Sequence, residues 1–268
     1  MNDFVSIIVP AYKQETTIKK DLENIYKVLK ETRWNFEIIC VVDGFLDNTF
    51  SEANKINLPN VIITGYPTNH GKGYAIRYGM ARSKGNIIAF IDSGMDINAN
   101  GISMLLEHMQ WYNADIVVGS KRHPVSKVHY PLLRRIYSWG YHMGTKILFR
   151  LKVRDTQTGL KVYRREVLEK VLPRLMVKTH AFDIELLAVS SYLGYNKIYE
   201  APVEVNWDFK NTSFTKFLIF DPFIRGMLLD TLAVFYRLYI LRFYDDDNKR
   251  KWVYDEELKM KINTGESQ

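Results

Sequence analysis

The sequence predicts an α/β fold, a mostly parallel sheet with helices on both faces, followed by C-terminal amphipathic aromatic helices. Three observations point there. Five short β-branched runs fall within the first 120 residues, each separated from the next by a segment of helical spacing. Those runs are apolar throughout rather than alternating, as in strands buried on both faces. Beyond residue 120 the pattern changes to basic and aromatic helix-like sequence.

VSIIVPAY (5–12) reads as the first strand, and residues 15–32 as a helix in which Ile18, Leu22, Ile25, Val28 and Leu29 recur at spacings of three and four. FEIICVVD (36–43) is the second strand, followed by a helix near 48–57. NVIITGY (60–66) is the third strand, and 71–85 is a helix bounded by glycines. NIIAFID (86–92) and ADIVVGS (114–120) are the fourth and fifth strands, with a helix over 102–112 between them. Then come a basic, aromatic helix-like segment (130–151), the run RDTQTGLKVYRREVLEKVLP (154–173), a helix over 182–194, and strand-like segments at 196–202 and 203–207. The predicted organisation is a main domain over 1–212, interfacial amphipathic helices over 213–244 and a charged, frayed tail over 245–268.

With 268 residues, 47% hydrophobic and 25% charged, the chain has ordinary globular composition, which excludes disorder for most of it. Its single cysteine, Cys40, lies inside the apolar second strand and reads as a buried structural thiol, so a disulfide framework is excluded and a reducing cytoplasm is expected. The opening MNDFVSIIVPAY has no basic region ahead of an apolar stretch, and no signal peptide is expected. The net charge of +7 is local: from Lys121 to Arg165 there are twelve Lys/Arg and one acid, Asp155, leaving 25 basic and 29 acidic residues elsewhere. Such a segment fits an anionic partner, either lipid headgroups or a phosphorylated substrate, and alternatively is a solvated basic face. Nucleic acid is excluded as the partner because no binding module accompanies the charge. Residues 214–244 are apolar and aromatic but interrupted by Lys216, Asp221, Arg225, Asp230, Arg237 and Arg242, so the stretch predicts an interfacial element rather than a membrane span. Core packing of Phe217, Phe223 and their neighbours is the alternative.

Ligands of open parallel sheets bind outside the carboxyl ends of the strands. Polar residues stand at those ends: Pro10 and Tyr12, Asp43, Asp92, and Ser120 with Lys121 and Arg122. Each acid alone is as often a helix cap as a ligand; together they predict one crevice.

The motifs SIIVPAYKQE (6–15), VVDG (41–44), NHGKGYAIRYGM (69–80), FIDSGMD (90–96), VVGSKR (117–122), DTQTGLKVYRR (155–165) and FDIELL (182–187), in that order, resemble the inverting family 2 glycosyltransferases with the GT-A, Rossmann-like fold. Within them the chain is similar to the polyprenyl-phosphate sugar synthase branch, that of dolichyl-phosphate β-glucosyltransferase and dolichyl-phosphate mannose synthase. The resemblance covers about residues 4–243. It implies that Pro10 and Tyr12 hold the base and ribose of a nucleotide-sugar donor, with Gln14 beside them as a further donor-binding candidate. Asp43 then accepts hydrogen bonds from that nucleotide, its alternative being a turn residue ahead of Gly44. Lys72 approaches the donor, or simply belongs to a helix start. Asp92, with Ser93 beside it, implies a Mg²⁺ or Mn²⁺ ion on the diphosphate. The family's second acid is replaced by Gly94, so the metal falls to Asp92 alone or to Asp92 with Asp96. Lys13, Gln14 and Gly44 also depart from the family pattern.

On the acceptor side the resemblance points to Lys121, Arg122, Arg134 and Arg135 as charge partners of a polyprenyl phosphate. That phosphate is ionised at neutral pH and is its own nucleophile, so no general base is required. Asp155 and Gln157 open an acceptor-side loop in which Asp155 orients an arginine or a sugar hydroxyl, or else caps the turn before Gly159. The implied reaction is a metal-assisted, inverting transfer of a hexose from UDP-glucose to a polyprenyl (undecaprenyl or dolichyl) phosphate, with the enzyme peripheral on the cytoplasmic face of an anionic membrane. Two alternatives stay open. One is a saccharide acceptor, which would need Asp183 or Glu185 as base; the other is a membrane-associated binding protein on a degenerate scaffold, suggested by Gly94.

Overall fold

The protein is described by a computed structural model over residues 3–94, 96–128, 132–178, 181–205, 222–246 and 252–263, with side chains placed for all of these except 128, 132–138, 222 and 223. Its centre is a seven-stranded sheet in the order β3-β2-β1-β4-β7-β5-β8. The strands are β1 (Phe4–Ala11), β2 (Asn35–Asp43), β3 (Val61–Tyr66), β4 (Ile87–Ile91), β5 (Ile116–Ser120), β7 (Leu160–Arg164) and β8 (Ile198–Pro202). All neighbours run parallel except β7, which is antiparallel to both β4 and β5. A short parallel pair, β6 (Lys127–Val128) with β9 (Glu204–Val205), lies outside the main sheet.

The continuous apolar runs have the expected cause. In β1, Ile8 packs into one core while Ile7 and Val9 pack into the other, because successive strand residues point to opposite faces and both faces are covered. One core is closed by α1 (Ile18–Lys30) and α4 (Gly101–Trp111), through Leu22, Ile25 and Leu29 and through Leu105, Leu106 and Met109. The other is closed by α3 (Lys72–Arg82), α6 (Arg165–Val171) and α7 (Phe182–Tyr192). The short α2 (Thr49–Ala53) adds Ala53 to the first core. Cys40 is fully buried and unpaired, as a small core residue, and burial pushes its thiol up to about 12.

The basic segment becomes the long helix α5 (Leu132–Phe149), and the aromatic stretch yields α8 (Pro222–Phe235), which continues as one π-helical turn over Tyr236–Ile240. Residues 206–221, including Phe214, Phe217 and Phe220, lie outside the described residues, as does the side chain of Phe223. The rest of the stretch has two faces. Val234, Leu238 and Tyr244 are buried in the core beside α7, whereas Leu228, Leu229, Leu232, Tyr236 and Ile240 are exposed. Among the described residues no helix is long and apolar enough to cross a membrane.

One expectation needs correcting, and one segment that the sequence assigns to no element acquires a strand. The tail is not frayed over its described part: β10 (Trp252–Asp255) and β11 (Met260–Asn263) pair as an antiparallel hairpin, and Leu258 between them is buried in the core. The segment 154–173 also contains a strand, β7, inserted in the middle of the sheet.

Candidate active site

The carboxyl ends of β1, β2 and β4 open on one crevice of about 240 Å³, lined by Pro10, Ala11, Tyr12, Gln14, Asp43, Lys72, Asp92 and Ser93. All seven residues expected to meet a donor therefore come together. The loop after β1 is fixed by the Gln14 amide, which donates to Thr49 Oγ1 at 2.7 Å, and by Thr17 Oγ1 donating to Gln14 Oε1 at 2.8 Å. Ser93 Oγ donates to Pro10 O at 2.9 Å and ties the end of β4 to that of β1. Tyr12 is exposed at the rim with Lys13 near its ring.

Asp43 is buried, and its two oxygens accept from the backbone of His70 (2.8 Å) and Gly71 (2.9 Å) and from Asn69 Nδ2 (3.0 Å). It holds the loop that starts α3 while lining the crevice. That loop delivers Lys72, whose ammonium bridges two carboxylates: Asp92 Oδ1 at 2.8 Å and Asp183 Oδ2 at 3.0 Å. The other Asp183 oxygen binds Lys161 Nζ at 2.6 Å, and Lys161 also donates to Thr158 O at 2.6 Å. Burial alone would raise the Asp183 carboxyl, but the Lys161 and Lys72 ammoniums hold it down to about 2. Burial would likewise lower Lys72, yet Asp183 and Asp92 keep it well above the usual lysine range. Lys161 is pulled down by its burial, which the attraction of Asp183 offsets only in part while Lys72 adds repulsion. Lys161 was not legible as a site residue; its only signal was a lysine inside the short strand LKVYR.

The loop 155–159 spans the carboxyl ends from β4 to β5 because β7, which it enters, runs antiparallel between them. At one end Gly159 O accepts the Asp92 amide at 3.0 Å, and a side chain on Gly159 would collide with the Asp92 carboxylate. Gln157 Nε2 donates to Tyr141 Oη of α5 at 3.2 Å, which in turn contacts Thr231 Oγ1 of α8 at 3.1 Å. At the far end Asp155 accepts the amides of Lys121 (3.0 Å) and Gln157 (3.1 Å), with Lys121 Nζ 3.8 Å away. Asp155 therefore joins the loop to the end of β5 and orients a lysine there. Arg122 and Lys146 stand near His142, whose imidazole is lowered first by burial and then by those two cations. The Arg134 and Arg135 backbones lie on α5, but their side chains fall outside the described residues.

One expectation is altered by this geometry, and two observations bear on the cation. Asp96 is not among the residues lining the crevice; its charge bears on Asp21, which with Asn24, Asn98, Asn100 and Asp92 itself lines a second cavity. Among the described residues no group of three or more His, Cys, Asp or Glu is placed to hold a metal ion, whereas the expected site asks only for Asp92, alone or with Asp96. Neither candidate base is available: Asp183 is bound by two lysines, and Glu185 is fully buried, accepting the amides of Met176 and Val177 and the Tyr244 hydroxyl. Two more of the basic residues are half-buried and engaged within the chain, since Arg165 donates to Gly85 O and Ser83 O, and Arg164 to Ala114 O.

The sequence model of glycosyl transferase family 2 matches residues 6–172. Among curated proteins, a dolichyl-phosphate beta-glucosyltransferase of Trichomonas vaginalis is 30% identical over 255 residues, covering 88% of this chain and 75% of the relative. Enzymes of the same name from Dictyostelium discoideum and Homo sapiens are each 29% identical, covering 77% and 76% of this chain and 67% of each relative. Among solved structures, mannosyl-3-phosphoglycerate synthase from Rubrobacter xylanophilus superposes with a TM-score of 0.66 at 15% identity, covering 95% of this chain and 82% of its own. Glucosyl-3-phosphoglycerate synthase from Mycobacterium tuberculosis, in complex with Mn²⁺, UDP and phosphoglyceric acid, gives 0.64 at 18% identity, covering 94% and 83%. These two likenesses show the fold alone.

Proposed function

We propose that this chain, which belongs to glycosyl transferase family 2, moves a hexose, glucose from UDP-glucose, with inversion onto the phosphate of a polyprenyl (undecaprenyl or dolichyl) carrier. The observation that carries the reading is the convergence of Pro10, Tyr12, Gln14, Asp43, Lys72, Asp92 and Ser93 on one crevice at the carboxyl ends of the sheet. The activity for which the 29–30% identical relatives are named supports the choice of glucose and of a lipid phosphate. In the proposed reaction a phosphate oxygen of the acceptor forms a bond to the anomeric carbon as the bond to UDP breaks, and UDP leaves with the electron pair. The acceptor is already ionised, since its second pKa is about 6. A protein base is therefore superfluous, in keeping with the occupied oxygens of Asp183 and Glu185. Lys121, positioned by Asp155, and Arg122 would compensate the acceptor's charge.

Asp92 suits a divalent cation that arrives with the donor. Mg²⁺ and Mn²⁺ need only one or two carboxylates when phosphate oxygens and water complete the shell. The Asp92 side chain is 45% exposed, and its Oδ1 already carries a positive group, Lys72. Such an ion, when bound, neutralises charge developing on the leaving diphosphate. The chain would work peripherally at the cytoplasmic face of an anionic membrane, and the exposed apolar residues of α8 support the contact with a membrane surface.

The test is transfer of label from UDP-glucose to undecaprenyl or dolichyl phosphate, read in the extracted lipid. A β-linked lipid product is expected, and Asp92→Asn should reduce kcat/KM on the order of 100-fold or more. Label on a soluble saccharide instead would establish the other acceptor class, and nucleotide binding without transfer to any acceptor would leave a binding protein.

A further inference from the structure

Lys72 touches two carboxylates that differ in kind. Asp183 is 10% exposed, and its second oxygen is locked by Lys161, itself 1% exposed and anchored on Thr158 O. Asp92 is 45% exposed and faces the crevice. One contact of Lys72 is therefore permanent and the other is open to exchange. The charges explain why exchange needs a substitute. Two ammoniums balance two carboxylates in this cluster, so withdrawing Lys72 from Asp92 leaves an uncompensated carboxylate unless another cation takes its place. Gly94, where the family has its second acid, supplies no further negative charge.

We propose that Lys72 is an exchangeable cation: without donor its ammonium occupies the cation position on Asp92, and with donor it gives up that oxygen, stays on Asp183 and turns to the diphosphate. The inference rests on the donor-binding reading of the crevice. It makes Asp183 and Lys161 positioning residues, which keep Lys72 at the crevice when Asp92 is otherwise engaged. It also makes metal binding and donor binding mutually dependent, because an ion arriving alone must compete with Lys72, whereas one arriving on a diphosphate provides the displaced ammonium with a new anion.

The experiment titrates Mn²⁺ alone into the full chain, without nucleotide, in the parent, Lys72→Met and Lys72→Arg. Lys72→Met should bind Mn²⁺ about fivefold more tightly than the parent, the equivalent of one partly exposed ion pair. Lys72→Arg keeps the competing charge and should stay close to the parent. The gain should vanish in Lys72→Met combined with Asp92→Asn. Circular dichroism establishes that each variant is folded, and a merely structural lysine would give no gain in metal affinity. Unchanged or weaker Mn²⁺ binding by folded Lys72→Met overturns the proposal. A separate titration of the parent with UDP in Mn²⁺ tests the donor reading, and its failure would remove that reading while the Mn²⁺-only comparison still decides the competition between Lys72 and the metal.

Discussion

At Gly94 the backbone has φ +108°, a region costly for any residue with a side chain, while its amide donates to Asp21 Oδ2 at 2.8 Å. Space is not the constraint, since the atoms nearest to an added Cβ lie 3.7 Å away on Gln14. Restoring the family's acid should therefore fail for a backbone reason. Gly94→Asp and Gly94→Ala are both expected to lose about 1–3 kcal/mol of stability, with no tightening of Mn²⁺ binding in Gly94→Asp. Thermal melts paired with a metal titration check this, and an undiminished melting temperature would show that the glycine is not required by its conformation. The strand-end residues Pro10, Asp43 and Asp92 were legible because each ends an apolar run, and a strand end fixes where its next side chain points. The Lys161–Asp183 pair was not. Its members are 22 positions apart and meet only because β7 enters the sheet beside β4.

The elements differ in how much of them the sequence displays. Helix α1 follows from a spacing of three and four that buries Ile18, Leu22, Ile25 and Leu29, although it begins at Ile18, later than the acidic residue at 15 suggests. Strand β7 was concealed because LKVYR is five residues long and carries two basic side chains, one of them neutralised only by a distant acid. The tail was concealed by its charge. Its order depends on few apolar side chains and on tertiary partners: Leu258 enters the core, Tyr74 Oη donates to the Glu257 carboxylate, and Arg82 Nη1 donates to Glu257 O at 3.2 Å. Strand β11 packs against the turn over Leu172–Arg174, and Arg174 pairs with Asp246. Leu258→Ala should therefore cost about 2–5 kcal/mol, as for other buried leucines. Urea unfolding of the full chain measures it, and a loss under about 0.5 kcal/mol, the size of an ordinary surface substitution, would mean that the hairpin adds nothing to the fold.

Across the whole molecule, the net charge of +7 and the exposed apolar face of α8 act together if the enzyme reaches its acceptor at a surface. Part of the basic segment is engaged within the chain, Lys161 fully buried and Arg164 and Arg165 half-buried on backbone carbonyls, so the charge available to a membrane is smaller than the sequence count. Lys146 and Arg150, at the end of α5, remain exposed, and α5 packs on α8 through Tyr141 and Thr231. The two contributions differ in their response to salt. Each exposed cation near an anionic surface contributes about 1 kcal/mol and is screened over a Debye length of about 10 Å at 0.1 M salt, whereas apolar insertion is not screened. Lys146→Glu with Arg150→Glu should therefore weaken binding to anionic vesicles at low salt and leave neutral vesicles unaffected. Leu229→Ser with Leu232→Ser, both on the exposed face, should weaken binding to both. Co-sedimentation of the folded variants separates the terms. A parent chain that stays in the supernatant with anionic vesicles at low salt would remove the membrane surface from the proposed function, leaving the acceptor to be delivered in a water-soluble form.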